Sequence, residues 1–180
     1  MVSAAHSPWS LRAEVDAWQR RLARALEMRI DRAGTWYYRD SPIGRLPLVK
    51  LFATVLRRGP DGGYWLVTPV EQGRIEVEDV PFVAVELRRV GAGSAQLLQL
   101  RTNLDEWVSV DADHPLVVRA APDGAQVPYV TVRDKLDARI ARPVFYHLVE
   151  LAESAPDGVD GLMGVWSAGR FFPLGSVEGS

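Results

Sequence analysis

Two similar segments of this 180-residue chain, 36–52 and 130–148, carry the residues best suited to binding an anion. Each segment combines arginines with a turn and then an apolar-periodic run that opens with a proline. The matching positions are Arg39-Asp40 with Arg133-Asp134, Arg45 with Arg139 and, after a two-residue slip, Pro47 with Pro143. An internal duplication of this kind predicts two similar sites in one molecule.

A turn that leads into a helix at proline leaves backbone N–H groups free at the helix start. The helix dipole favours an anion there, and the planar guanidinium of arginine matches phosphate or carboxylate. The sequence therefore predicts a site for an anionic ligand, and two such sites facing one another could hold two phosphates or a phosphate and a carboxylate. The candidate residues, with Trp36 for stacking and the others for polar or ionic contact, are Trp36, Arg39, Ser41, Arg45, Lys50, Thr102, Asn103, Arg133 and Arg139.

These residue types also have structural interpretations. Arg39-Asp40 and Arg133-Asp134 can form local or interface salt bridges, which hold chain segments together without binding any ligand. Aromatic residues in short strands commonly belong to the core. Both alternatives stay open on the sequence alone.

Catalytic patterns are weaker. Asp111-Ala112-Asp113-His114 resembles a metal or acid/base cluster, but it precedes Pro115 at a strand turn, where aspartate commonly makes local hydrogen bonds. The chain has no cysteine, phosphate-binding glycine loop, dinucleotide-binding glycine motif or zinc-protease motif. The sequence therefore predicts no catalytic residue, no metal ligand and no cofactor, and a hydrolase using Asp111, Asp113 and His114 is the third-ranked hypothesis.

Charge is distributed unevenly. Residues 1–58 carry 11 basic and 5 acidic side chains, and the remainder carries 10 and 18, for a net charge of −2. A positive N-terminal part can attract an anionic ligand, whereas the overall balance disfavours a general nucleic-acid binder. The sequence shows no signal-peptide core and no membrane-spanning stretch, so a cytoplasmic location is expected.

Periodicity predicts an α+β fold of two similar halves with mainly antiparallel sheets. Each half combines a strand–loop–helix–strand unit with a β-hairpin unit. Helices are expected over 8–29, from Pro47 to about Arg58, and from Pro143 to about Glu153. The glycine-rich stretch at 91–94 predicts either a linker or a long hairpin turn, and a linker there would divide the chain into domains 1–90 and 91–180. Strands are expected over 36–38, 64–68, 74–78, 82–87, 97–100, 107–110, 116–119 and 129–133, and a short strand or hairpin over 164–167 and 170–174.

Many short motifs resemble the bacterial family called domain of unknown function 1285 (DUF1285), in the same order over about residues 34–175. They include 34–36, 41–45, 47–49, 68–71, 77–79, 101–103, 114–116, 144–146, 164–167 and 171–175. The resemblance implies a duplicated α+β core whose C-terminal half is superficially similar to pleckstrin-homology folds. It implies a cleft site for a nucleotide-like ligand and a role in signalling, but no activity. The second copy departs from the pattern, because Lys135-Leu136-Asp137 lacks the glycines expected in that loop.

Three functions follow in order. The first is a ligand-binding or sensor protein. The second is an adaptor that binds a protein partner, which a large exposed apolar patch would favour. The third is the hydrolase.

Overall fold

A computed structural model describes residues 25–69 and 71–177, and these form two compact units. Within the described residues, unit 1 contains 25–30 and 35–77, and unit 2 contains 31–34 and 78–177. The strands are β1 Ala25–Ile30, β2 Trp36–Tyr38, β3 Ser41–Pro42, β4 Leu56–Arg58, β5 Tyr64–Val67, β6 Gln72–Val77, β7 Phe82–Val90, β8 Leu97–Thr102, β9 Trp107–Ser109, β10 Leu116–Ala120, β11 Gln126–Arg133, β12 Leu136–Ile140, β13 Glu153–Ser154, β14 Leu162–Ser167 and β15 Arg170–Ser176. The described helices are α1 Leu46–Thr54, α2 Arg142–Glu150 and a 3₁₀ turn at Gly93–Ala95.

Unit 1 is a six-stranded sheet in the order β3-β2-β1-β6-β5-β4, with α1 inserted between β3 and β4. Two antiparallel three-stranded meanders meet at the parallel pair β1–β6. Trp36 of β2 is buried and stacks on Phe52 of α1, with ring centroids 6.3 Å apart. This contact joins the helix to the apolar side of the sheet. Other buried apolar residues of unit 1 include Met28, Ile30, Val49, Ala53, Leu56, Tyr64, Trp65, Leu66 and Ile75.

Unit 2 repeats the same arrangement in its larger sheet, whose order is β10-β11-β12-β7-β8-β9. Two antiparallel meanders again meet at one parallel pair, here β12–β7. The chain continues from β12 into α2 and then into a smaller antiparallel sheet, β13-β14-β15. The two similar six-stranded sheets confirm the α+β fold of two similar halves with mainly antiparallel pairing.

The duplicated segments form the same local motif in both units. Each is a hairpin whose two turn residues have positive φ, followed by a helix with proline in its first turn. The turn residues are Arg39-Asp40 and Asp134-Lys135, so the structural equivalence is shifted by one residue from the sequence alignment. The returning strand is two residues long at a sheet edge in unit 1 and five residues long at the sheet centre in unit 2.

The N-terminal helix prediction is wrong where it can be checked. Residues 25–30 form strand β1, and positions 8–24 lie outside the described residues. Met28 and Ile30 are buried whereas Glu27 is exposed, which is the period of a strand. Pairing with β2 on one side and β6 on the other fixes this conformation.

Other element boundaries also differ from the sequence prediction. Helix α1 ends at Thr54 rather than near Arg58, because Leu56 turns into the core as the first residue of β4. The predicted loop before the second helix contains strand β12, and α2 ends at Glu150.

The glycine-rich stretch at 91–94 is the connection of a hairpin rather than a linker, since β7 and β8 pair along their length. The predicted division at 90/91 therefore falls inside unit 2, whereas the two compact units meet along the chain at 77/78. Among the described residues, no helix is long and apolar enough to cross a membrane.

Candidate functional site

Arg39 lies at the turn of the first hairpin, where the backbone presents it beside β1. Its backbone N–H donates to the carbonyl of Glu27 at 2.8 Å, and its Nε donates to the Glu27 carboxylate at 2.5 Å. The hydrogen bond that Arg39 donates to Glu27 raises the pKa of the guanidinium above its usual value, so Arg39 stays charged. Both side chains are about two-thirds exposed, and such a pair contributes little net stability.

A cavity of about 430 Å³ opens beside this pair. Arg29 of β1 enters it, lying over the Tyr37 ring at 3.8 Å and 3.6 Å from the Asp40 carboxylate. The cavity size is within the range of small-molecule sites. Its lining residues are Leu26, Glu27, Met28, Arg29, Arg39, Asp40 and Glu76.

The pairing of strands explains how these side chains come together. In β1, Glu27 and Arg29 alternate with the buried Met28 and therefore share one face. Arg29 is paired with Tyr37 in β2 and with Glu76 in β6. The cavity consequently contains two guanidinium groups and three carboxylates.

The apolar wall of the cavity depends on a glycine. A Cβ atom built at Gly73 would lie 2.3 Å from Cγ of Leu26. Any residue with a side chain at position 73 would therefore clash with the leucine. This close approach places Leu26 at the cavity wall beside the charged residues. It also gives Gly73 a packing role in strand β6.

In unit 2, Arg139 belongs to a largely buried polar network. Its Nη1 lies 3.1 Å from Asp79 Oδ2, and the Tyr129 hydroxyl donates to the same carboxylate at 2.8 Å. The Asp79 side chain is only 5 % exposed. Arg119 lies over the Tyr129 ring at 4.0 Å and pairs with Asp137 at 2.7 Å. Each charge in this network therefore has an internal partner.

Arg133 lies on the same sheet but pairs elsewhere. Its Nη1 is 2.7 Å from the carboxylate of Glu106, and its guanidinium lies over the Phe82 ring at 5.3 Å. The backbone N–H of Glu106 in turn donates to the Thr102 hydroxyl at 3.3 Å. Arg133 and Thr102 are thus connected through Glu106.

Thr102 and Asn103 serve the fold of unit 2. Thr102 is buried, and its hydroxyl accepts hydrogen bonds in the turn that follows β8. The Asn103 carboxamide accepts from the backbone N–H of Val83 at 3.0 Å and donates to the Gly34 carbonyl at 3.1 Å. The Thr102 hydroxyl and the Asn103 carboxamide, which we predicted would contact a ligand, therefore form hydrogen bonds inside unit 2.

The remaining predicted residues lie in unit 1. Trp36 is 1 % exposed, so its ring faces the core and α1 rather than a surface ligand. Ser41 is exposed in β3, next to the turn formed by Arg39. Arg45 is the exposed N-cap residue of α1, and Lys50 is half-buried on that helix. Arg39 is the predicted residue that lines the 430 Å³ cavity.

Residues Asp111–His114 form a turn in which the Asp111 carboxylate accepts the hydrogen bonds. Asp111 Oδ1 accepts from the backbone N–H groups of Asp113 and His114 at 2.9 Å and lies 3.0 Å from His114 Nδ1. Burial alone would raise the pKa of Asp111, but these hydrogen bonds and the imidazole together lower it. No group of three or more metal-binding side chains is present in the described part of the chain.

Sequence reasoning missed most of the cavity. Leu26, Glu27 and Arg29 fall within the helix predicted over 8–29, whereas in the structure they belong to strand β1, where Arg29 pairs with Tyr37 and Glu76. The alternation of Glu27, Met28, Arg29 and Ile30 was the available signal. In unit 2, Asp79 and Tyr129 lie 50 residues apart, and no local pattern joins them.

Comparisons with known proteins agree with this architecture. A search of curated proteins found no match. A DUF1285 family protein from Silicibacter pomeroyi, solved by crystallography, is 41 % identical, with a TM-score of 0.78 over 85 % of this chain and 81 % of that chain. A second crystal structure, from Shewanella baltica, is 27 % identical, with a TM-score of 0.54 over 69 % of this chain and 91 % of that chain.

The family models divide the chain close to the boundary between the compact units. The N-terminal domain of unknown function DUF1285 matches residues 13–80, and the C-terminal domain of the same family matches residues 81–174. Together with the 41 % identity to a solved member, these matches show that the chain belongs to the DUF1285 family.

Proposed function

We propose that this protein is a ligand-binding or sensor module that takes a nucleotide-like small molecule in the unit 1 cavity. The proposal rests on one observation. Arg29 and Arg39 both line the 430 Å³ cavity, and the guanidinium group of each lies over a tyrosine ring. Occupancy of the cavity would be the signal that such a sensor reports.

The charges of the lining restrict the ligand. Two guanidinium groups favour an anionic group, because arginine binds phosphate or carboxylate bidentately. Glu27, Asp40 and Glu76 repel a bare anion but accept hydrogen bonds from amino and hydroxyl groups. A nucleoside monophosphate offers both kinds of group, with its phosphate for the arginines and its ribose and base donors for the carboxylates.

The existing ion pairs do not prevent this binding. Arg39 and Glu27 are well exposed, and ion pairs at exposed positions contribute little net stability. A phosphate with charge-assisted hydrogen bonds to Arg39 can replace Glu27 at little free-energy cost. The released carboxylate then becomes an acceptor for the rest of the ligand.

Thermal unfolding with adenosine monophosphate, adenosine and inorganic phosphate tests the proposal. A probe at 100 times its Kd stabilises the folded state by about 2.7 kcal/mol, which raises Tm by about 5–10 °C. We expect this shift with the monophosphate at low salt, and loss of most of it in Arg39→Gln. Arg89→Gln makes the same change at an exposed position of β7 and is expected to retain the shift.

Two results would contradict the cavity assignment. One is an equal shift for wild type and Arg39→Gln, and the other is no shift with adenosine monophosphate. Loss of the shift in Arg45→Glu but not in Arg39→Gln would place the anion at the start of α1 instead.

A further inference from the structure

Helix α1 has an unusual composition for a helix on a protein surface. Its sequence, Leu-Pro-Leu-Val-Lys-Leu-Phe-Ala-Thr, is apolar around nearly its whole circumference. One side packs inward through Val49 and Ala53, with Phe52 against Trp36. A helix that is apolar all round is normally buried on every side. Here the outward side is not.

Three leucines of α1 face solvent. The exposed fraction is 62 % for Leu51, 41 % for Leu46 and 36 % for Leu48, and Pro47 is also exposed. Pro47 and Leu51 are four residues apart and therefore lie on the same face. Contiguous exposed apolar residues of this kind mark interaction surfaces. We call these four residues the α1 face.

The segment of chain that carries the α1 face is basic, and the nearest acidic residues along the sequence are Asp40 and Asp61, which pair with Arg29 and Arg74. Between Ser41 and Pro60 the chain contains four basic residues and no acidic residue. Arg45 is exposed at the helix N-cap and forms no ion pair with any residue in 25–69 or 71–177. Arg57 donates to the carbonyls of Thr54 and Leu56, which fixes a positive charge at the other end of the helix.

We propose that the α1 face is a docking surface for an acidic amphipathic segment of a partner protein. Apolar side chains of the segment would cover Leu46, Leu48 and Leu51. Its flanking carboxylates would meet Arg45 and the positive charges beside the helix. This is recognition of an amphipathic helix by an apolar surface, with opposite charges setting the choice of partner.

Charge complementarity distinguishes this occupant from two others. Residues 1–24 of the chain itself carry four arginines and two acidic residues, so that segment would bring positive charge to a positive surface. A second copy of the α1 face would likewise oppose like charges, and like-charge contacts discriminate against a partner. An acidic segment satisfies both the apolar and the ionic parts of the surface.

A designed peptide supplies a direct probe. The probe is a fluorescein-labelled 18-residue helix with leucine on one face and glutamate on the other, and its matched control replaces every glutamate with lysine. Fluorescence anisotropy with the full chain is expected to show binding of the glutamate peptide, weakened at least tenfold by Leu51→Ser and by Arg45→Glu. Val90→Ser changes a 52 % exposed valine of β7 and is expected to leave Kd unchanged.

Circular dichroism confirms that each variant is folded before binding is measured. Equal affinity for the glutamate and lysine peptides would overturn the proposal, as would an unchanged Kd for Leu51→Ser. Cosedimentation with phosphatidylglycerol vesicles without binding of the peptide would assign the α1 face to a lipid surface. A concentration-dependent dimer lost in Leu51→Ser, again without peptide binding, would assign it to a second copy.

Discussion

At the scale of single residues, the clearest energetic feature is the carboxylate of Asp79. It is held in unit 2 by the Tyr129 hydroxyl and by Arg139, and it is almost fully buried. Burial, followed by the hydrogen bond and the negative charge of Asp79, raises the pKa of Tyr129 to about 12. The phenol therefore stays protonated over a wider pH range in the folded chain than in the unfolded chain.

This shift predicts a stability change in alkaline solution. An unfolded tyrosine has a pKa of about 10, so between pH 10 and 12 the unfolded chain loses this proton first. The stabilisation from Tyr129 is complete below pH 10 and is lost as pH rises towards 12. We expect Tyr129→Phe to lower the free energy of unfolding by about 1–3 kcal/mol at pH 7, because Asp79 loses a buried donor.

Urea denaturation at pH 7, 10 and 11.5 measures this effect. The difference between wild type and Tyr129→Phe should shrink as pH rises. A constant difference would show that the phenol does not titrate in this range. Tyr146→Phe, at an exposed tyrosine of α2, is expected to change stability by less than about 0.5 kcal/mol at pH 7.

At the scale of secondary-structure elements, three two-residue hairpin turns in the described chain have both residues at positive φ. They are Arg39-Asp40, Asp134-Lys135 and Ala168-Gly169. Such turns match the twist of paired strands and prefer glycine at the second position, because glycine adopts positive φ without a steric penalty. The third turn has this glycine, and the second has Lys135 at φ 64°.

The comparison predicts that Lys135→Gly stabilises the hairpin β11–β12. The gain in the free energy of unfolding is expected to be about 0.5–1 kcal/mol, since relief of backbone strain exceeds the entropy added to the unfolded chain. Gly169→Lys should destabilise by a similar amount. Thermal and urea unfolding of both variants measure the two changes in the free energy of unfolding. Changes of the same sign would contradict the prediction.

The same turns show which elements a sequence can predict. The two helices that carry a local signal, Pro47 and Pro143 in their first turns, lie near their predicted positions. The turn at Arg39-Asp40 has no glycine or asparagine, so no residue in the sequence marks its position. The helix prediction fails at strand β1 because the conformation of this strand depends on pairing with residues of β6 that lie 47–49 positions further along the chain. Arg39 was recognised as a site residue, but its cavity depends on that same pairing.

At the scale of the whole molecule, the chain does not complete one compact unit before it begins the other. It leaves unit 1 after Ile30, contributes Asp31–Gly34 to unit 2, and returns at Thr35. Side chains elsewhere in unit 2 hold residues 31–34 in place. Arg32 pairs with Asp123 at 2.8 Å, and Asn103 donates to the Gly34 carbonyl at 3.1 Å. A prediction that assigns one continuous range of residues to each unit cannot include these contacts.

Gly34 makes this arrangement testable because two independent constraints act on it. Its φ is +81°, and a Cβ atom there would lie 2.6 Å from Asn103 Nδ2 and 3.1 Å from Val83 Cγ2. Gly124, at φ +83° in the same unit, has no atom within 4 Å of a built Cβ. Gly34→Ala therefore adds a steric clash to the backbone strain that both substitutions share.

We expect Gly34→Ala to lower the free energy of unfolding by about 2–4 kcal/mol and Gly124→Ala by about 1 kcal/mol. The extra loss should appear in unit 2, because Asn103 must give up its bridge between Gly34 and Val83. Hydrogen exchange then locates it as reduced protection at the Val83 and Asn103 amides. The two substitutions differ chiefly in the atoms that the added methyl group contacts. Equal losses of stability would therefore show that residues 31–34 contribute to unit 2 only through their turn geometry.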